Sequence, residues 1–162
     1  MLRAILAVIV GYVALAIWVM VTLAVAWFAL GSDFAFNEGN LEASTGWSVL
    51  MLVLGAIGGV IGGLIAASVG RAASPVKALA GFVLVLGLVI AVMHQMGIGE
   101  SEDTGQPVAV EELPMWEVAT ETKQPAWFDF ALPFVGCAGV MIGGRMRRSR
   151  VSTKATGEVA PD

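Results

Sequence analysis

The stretch GAIGGVIGGLIAASVG, residues 55–70, decides how this chain folds. On a helix, at about 100° per residue, it sorts by side-chain size. Gly55, Gly59, Gly62, Gly63, Ala66 and Gly70 fall on one side. Leu50, Val53, Leu54, Ile57, Ile61, Leu64 and Ile65 fall on the other. In water each of these glycines would weaken a helix by about 1 kcal/mol relative to alanine. In a bilayer the backbone must bond internally, so the helix persists, and a face without side chains lets another backbone come close. The stretch therefore reads as a packing surface inside a membrane. Gly136, Gly139 and Gly143, with Gly144 beside them, form a similar strip further on at matching depth. Together the two strips have the character of a glycine zipper, either for fixed packing or for a sliding or pore-lining contact.

Composition supports the membrane setting. Of 162 residues, 57% are hydrophobic and 14% charged, against roughly 25% charged in an average soluble domain. Four apolar runs are each long enough to cross a bilayer, which takes about 17–25 residues. They place helices over 4–30, 47–69, 75–96 and 126–144, joined by loops at 31–46 and 98–125. The fold class expected is an all-α bundle of four transmembrane helices, antiparallel and up-down, forming one domain over 1–150. Residues 151–162 are polar and read as a disordered tail.

Charge orients the bundle. Arg3, Arg71, Lys77, Arg145, Arg147, Arg148, Arg150 and Lys154 flank one set of helix ends, eight of the nine Lys and Arg. The opposite ends carry only Lys123, together with Asp33, Glu38, Glu42, Glu100, Glu102, Asp103, Glu111, Glu112, Glu117, Glu121 and Asp129. Positive loops stay in the cytoplasm, so both termini are expected inside. The expected setting is a bacterial inner membrane. A secretory signal is disfavoured because the first apolar run, 4–30, far exceeds the roughly 7–15 residues of a signal core. At about 1.5 Å per residue it also exceeds a membrane core of ~30 Å, so it must tilt or protrude.

Local signals mark the helix ends. Ser44 or Thr45 caps the second helix. Gly70-Arg71 ends it, and Ser74-Pro75 restarts the chain with serine as cap and proline in the first turn. The third helix ends at Gly97 and Gly99. Pro133 interrupts the fourth and removes the hydrogen bond to the Asp129 carbonyl. Trp27, Trp47 and Trp127 stand at one level as an interfacial belt, with Trp116 a further anchor in the long loop. Trp18, near mid-helix, belongs to lipid or to the core instead. Ala4, Ala7, Gly11 and Ala14 give the first helix a small face of its own.

Candidate chemistry is sparse. One cysteine, Cys137, and one histidine, His94, exclude an intrachain disulfide and a His/Cys metal cluster within one chain. No cofactor, catalytic or metal site is expected. No phosphate loop, nucleophile with a base, or pair of intramembrane carboxylates is present in the sequence pattern. The arginines after the fourth helix read as a topology anchor drawn to anionic lipid, not as a nucleic-acid surface. His94 and Asp129 are the polar pair of interest. Each lies about one turn inside its helix, at the acidic end. Each can be solvated separately at the interface, or the two can meet if their helices are neighbours, and histidine titrates near neutral pH.

Three pieces of sequence carry a resemblance: residues 58–71 (GGVIGGLIAASVGR), Ala126-Trp127-Phe128 with Pro133 following, and Gly143-Gly144-Arg145. In these the chain resembles a loose group of small bacterial four-helix integral membrane proteins without an established activity. The resemblance implies architecture and no chemistry. The function expected is a non-enzymatic accessory or scaffold component assembled by glycine packing, with the bilayer and another membrane protein or a second copy as partners. The alternative is a small oligomeric transporter or channel, against which stands the lack of polar groups at mid-membrane, where carriers place their sites.

Overall fold

The computed structural model describes residues 2–36, 42–70, 74–97 and 124–156; side chains are described except those of Ser32 and residues 148–156. Four helices make up almost all of this: α1 Leu2–Ala35, α2 Thr45–Gly70, α3 Ser74–Gln95 and α4 Ala126–Thr156. All four are long and apolar enough to cross a membrane, over Leu2–Gly31, Thr45–Gly70, Ser74–Gln95 and Ala126–Arg147. The chain thus has the architecture of a multi-pass membrane protein. The expected loop at 98–123, with Trp116, and the tail beyond Thr156 lie outside the described residues.

The helix ends follow local chemistry. In α1 the helical geometry breaks at Gly31, with φ 75° and ψ 176°, a conformation open to glycine alone. The chain then turns, and Phe36 bridges to Ala43. Ser44 is the cap of α2: its Oγ accepts from Trp47 N at 3.0 Å and donates to Phe34 O at 2.6 Å. Gly97, at φ 69°, closes α3, its N–H reaching His94 O at 3.0 Å. α4 runs through Pro133 and on to Thr156, past the end expected at residue 144. The extension is polar and follows the span that closes at Arg147.

The small residues split between two seams. Gly58 and Gly62 meet α1: a Cβ on Gly62 would stand 2.9 Å from Gly11 O, and one on Gly58 2.9 Å from the Trp18 ring. Ala66 is fully buried in the same seam, 3.0 Å from where a Cβ on Gly11 would lie. Gly59 and Gly63 meet α4 of the same chain: a Cβ on Gly59 would stand 2.7 Å from Gly136 O, and one on Gly63 would collide with the Val140 carbonyl. Reciprocally, a Cβ on Gly139 would stand 2.6 Å from Ala56 O, and one on Gly143 would collide with the Val60 carbonyl. The sequence grouped Gly59, Gly62, Gly63 and Ala66 on a single side. Adjacent glycine pairs at 58–59 and 62–63 instead serve two partners, because neighbouring residues differ by about 100° around the helix. Gly55 is only half-buried and abuts the Leu132 side chain.

α3 lies on α4, with Val76 against Gly144 and Pro133 against Gly87. It meets α1 near the arginine-bearing end, where Leu79 approaches Gly11 and Tyr12 stacks edge-on with Phe82 at 5.2 Å. Ala66, Val76, Leu79, Ala80 and Val140 form the core there. Trp47, Ala26, Ala35, Phe36 and Ala43 form a second core at the tryptophan-bearing end. Polar groups inside the bundle are satisfied locally. Trp18 Nε1 donates to Leu54 O at 3.2 Å, crossing Gly58, where no side chain intervenes. Trp18 is therefore half-buried against α2. Thr22 and Ser68 donate back to carbonyls one turn earlier. No buried side-chain N or O among the described residues lacks a partner.

Substitution should separate the seam from the lipid-facing surface. Gly59→Leu has no room against the Gly136 carbonyl and should destabilise by more than about 3 kcal/mol. Ile57→Leu, at a 42% exposed position, should leave the thermal midpoint in nanodiscs unchanged. Equal midpoints for the two variants would contradict the α2–α4 contact.

Candidate functional site

The polar site stands at the tryptophan-bearing end, between the last turn of α3 and the first of α4. Its placement follows from sequence. Gly97 ends α3 three residues after His94, and α4 starts at Ala126, three residues before Asp129. The contacts of Val76 with Gly144 and of Gly87 with Pro133 set the two helices side by side. His94 Nδ1 then lies 2.8 Å from Asp129 Oδ2. Gln95 Nε2 donates to the same oxygen at 3.2 Å. The His94 side chain is 31% exposed and that of Asp129 10%. An acid near the start of a helix is also favoured by the helix dipole.

The pair is an ion pair when the imidazole is protonated and a hydrogen bond when it is neutral. Gln95 gives the carboxylate a neutral donor in either state. Sequence alone left His94 and Asp129 either meeting or solvated apart; the structure places them together. It also adds Gln95, whose role depends on the helix end tightening beside Asp129.

Beside this pair lies a cavity of about 570 Å³. It lies between α1 and α3 on the side of Tyr12 and Val83 toward the tryptophan-bearing end, with residues of α2 and α4 completing its lining. Leu15, Val19, Val83, Leu86 and Leu132 line its walls, and Trp27, Trp47, Phe128 and Asp129 line its far end. Gly55 and Gly136, both read from sequence as packing glycines, also border it. No single-helix pattern announces a cavity, because its lining is drawn from all four helices. The remaining packing residues, Gly59, Gly62, Gly63, Ala66, Gly139 and Gly143, belong to the seams and not to this site. Among the described residues no group of three or more His, Cys, Asp or Glu gathers as a metal site. Cys137 is a free, half-buried thiol beside the core at the arginine-bearing end.

A double-mutant cycle on His94→Gln and Asp129→Asn should show coupling of about 0.5–3 kcal/mol in thermal stability, as for residues in direct contact. Strict additivity would mean that the two side chains do not interact in the membrane. No protein-family model, curated protein or solved structure matches this chain.

Proposed function

We propose that the chain is a non-enzymatic accessory or scaffold component of a bacterial inner membrane. In this reading it is an antiparallel up-down bundle with both termini in the cytoplasm, held by glycine-zipper packing of α2 against α4. The observation that carries it is the backbone-to-backbone seam of Gly59, Gly63, Gly139 and Gly143, which consumes the small-residue faces of α2 and α4 within one chain. α1 and α3 keep broad apolar flanks, including Ile5, Ile9, Val13, Ile17, Val85 and Val89. A rigid central pair with apolar outer helices suits a part that presents a fixed surface to lipid and to membrane partners. The antiparallel order is supported by pairs that run in opposite senses: Gly11 with Gly62, Trp18 with Gly58, and Trp27 with Trp47. The inside assignment of both termini is supported by the bias of Lys and Arg to one end.

A second reading, a small oligomeric transporter or channel, is favoured by the cavity between α1 and α3 with an acid at its end. Purification from the native membrane in mild detergent, with identification of co-purifying proteins, separates the two. A stoichiometric membrane partner is the outcome expected for the accessory role; a pure homo-oligomer would move the function to transport.

Topology has its own test. Single cysteines at Ser101 and Ser152, in a Cys137→Ser background, should label from outside and inside respectively. Labelling of the Ser152→Cys variant from outside would reverse the assignment.

A further inference from the structure

The cavity between α1 and α3 has the size, walls and polar end of a ligand site. Its volume of about 570 Å³ lies within the roughly 300–1,000 Å³ typical of small-molecule pockets. Its lining on α1 extends from Tyr12 to Trp27, about 22 Å along a helix axis. Met20 and Ile90 both line it and are 72% and 57% exposed. They stand at a rim that opens sideways, toward lipid, so an apolar molecule can enter from the bilayer.

The chemistry is concentrated at one end. Trp27, Phe36, Trp47 and Phe128 border the cavity there, together with Gln124 and Asp129. Trp27 sits edge-on to both Phe36 and Trp47, at 6.0 and 6.3 Å. Aromatic rings attract cations, and more strongly when the cation is desolvated. Among the described residues, His94 and Gln95 both reach Asp129 through Oδ2. A carboxylate accepts about four hydrogen bonds over its two oxygens, so Asp129 retains capacity for another positive partner. An anion would be repelled here, and a neutral hydrocarbon would leave the carboxylate unused. We propose that this cavity binds a lipophilic cation, with its apolar body between α1 and α3 and its charge against Asp129 among Trp27, Phe36, Trp47 and Phe128.

The neighbouring ionisable groups are few among the described residues. α3 and α4 supply His94 and Asp129; α1 supplies Asp33, and the segment before α2 supplies Glu42, both exposed. α2 supplies none, and Tyr12 lies at the opposite end of the cavity from Asp129. The proposal goes beyond the accessory role and holds whether or not the ligand is ever moved across the membrane.

The test uses the full chain in phosphatidylcholine nanodiscs. Tetraphenylphosphonium is measured by equilibrium dialysis against empty discs, with tetraphenylborate as the anion of the same shape. Saturable binding of tetraphenylphosphonium, one per chain, is expected at pH 8, without saturable tetraphenylborate. Asp129→Asn should lose at least about tenfold at pH 8, while Asp129→Glu retains most of the affinity. His94→Gln, which leaves Asp129 in place, should retain binding at pH 8. Ala16→Trp, which fills the middle of the cavity, should abolish binding. Uptake equal to empty discs, equal saturation by tetraphenylborate, or unchanged binding in monodisperse Asp129→Asn would overturn the proposal. Should Asp129→Asn not remain monodisperse, unchanged binding in Ala16→Trp would overturn it instead.

Discussion

The closest constraint in this protein is backbone against backbone. Where α2 crosses α4, the carbonyls of Ala56, Val60, Gly136 and Val140 occupy the space that side chains at Gly139, Gly143, Gly59 and Gly63 would need. In a membrane the hydrophobic effect does little to bring helices together, so association rests on dispersion and close fit. Four glycines at one crossing give that fit, and the other helices arrange themselves around it. α1 lies on the adjacent edge of α2 through Gly58 and Gly62, and α3 lies on the adjacent edge of α4 through Pro133 and Gly144. The two outer helices are thus held by different members of the central pair. That is why they touch each other at Leu79 and Phe82 and leave a space further along.

Much of this was legible in the sequence, and the illegible part has a physical cause. The four spans follow from run length and the absence of charge. The cap at Ser44, the proline in the first turn of α3 at Pro75 and the glycine stop at Gly97 follow from residue types that serve those positions. Small residues on α2 and α4 mark surfaces of close approach, but a helical wheel gives only angles. It assigned Gly62 and Ala66 to the side of Gly59, whereas the bundle needs two partners and uses two edges. Gly58 stood outside the sequence grouping, although it seats the Trp18 indole. Residue type could not place Trp18; the Leu54 carbonyl across Gly58 turns it toward α2, and that contact exists only once α1 and α2 meet.

The polar end illustrates the same limit. Depth along each helix placed His94 and Asp129 at one level, and helix adjacency was the missing fact. Gln95 carries no signal in the sequence, being one polar residue at a helix end, and becomes significant only beside Asp129. The cavity is harder still to read, because each wall residue is an ordinary apolar position on its own helix. What makes it a site is the conjunction of empty space, four aromatic rings and one acid.

Ser68 and Arg147 add something to the central seam. The Ser68 hydroxyl donates to Leu64 O at 2.6 Å and accepts from Arg147 Nη1. This fastens α4 to α2 one turn beyond the glycines. A shift of one helix along the other by a single residue would drive Val60 or Val140 into a carbonyl and would pull Arg147 off its partner. Register is therefore locked at two places, and the α2–α4 pair behaves as a keel. The keel forms one edge of the bundle; the contact of α1 with α3 at Gly11, Tyr12, Leu79 and Phe82 forms the opposite edge, and the cavity lies along that edge.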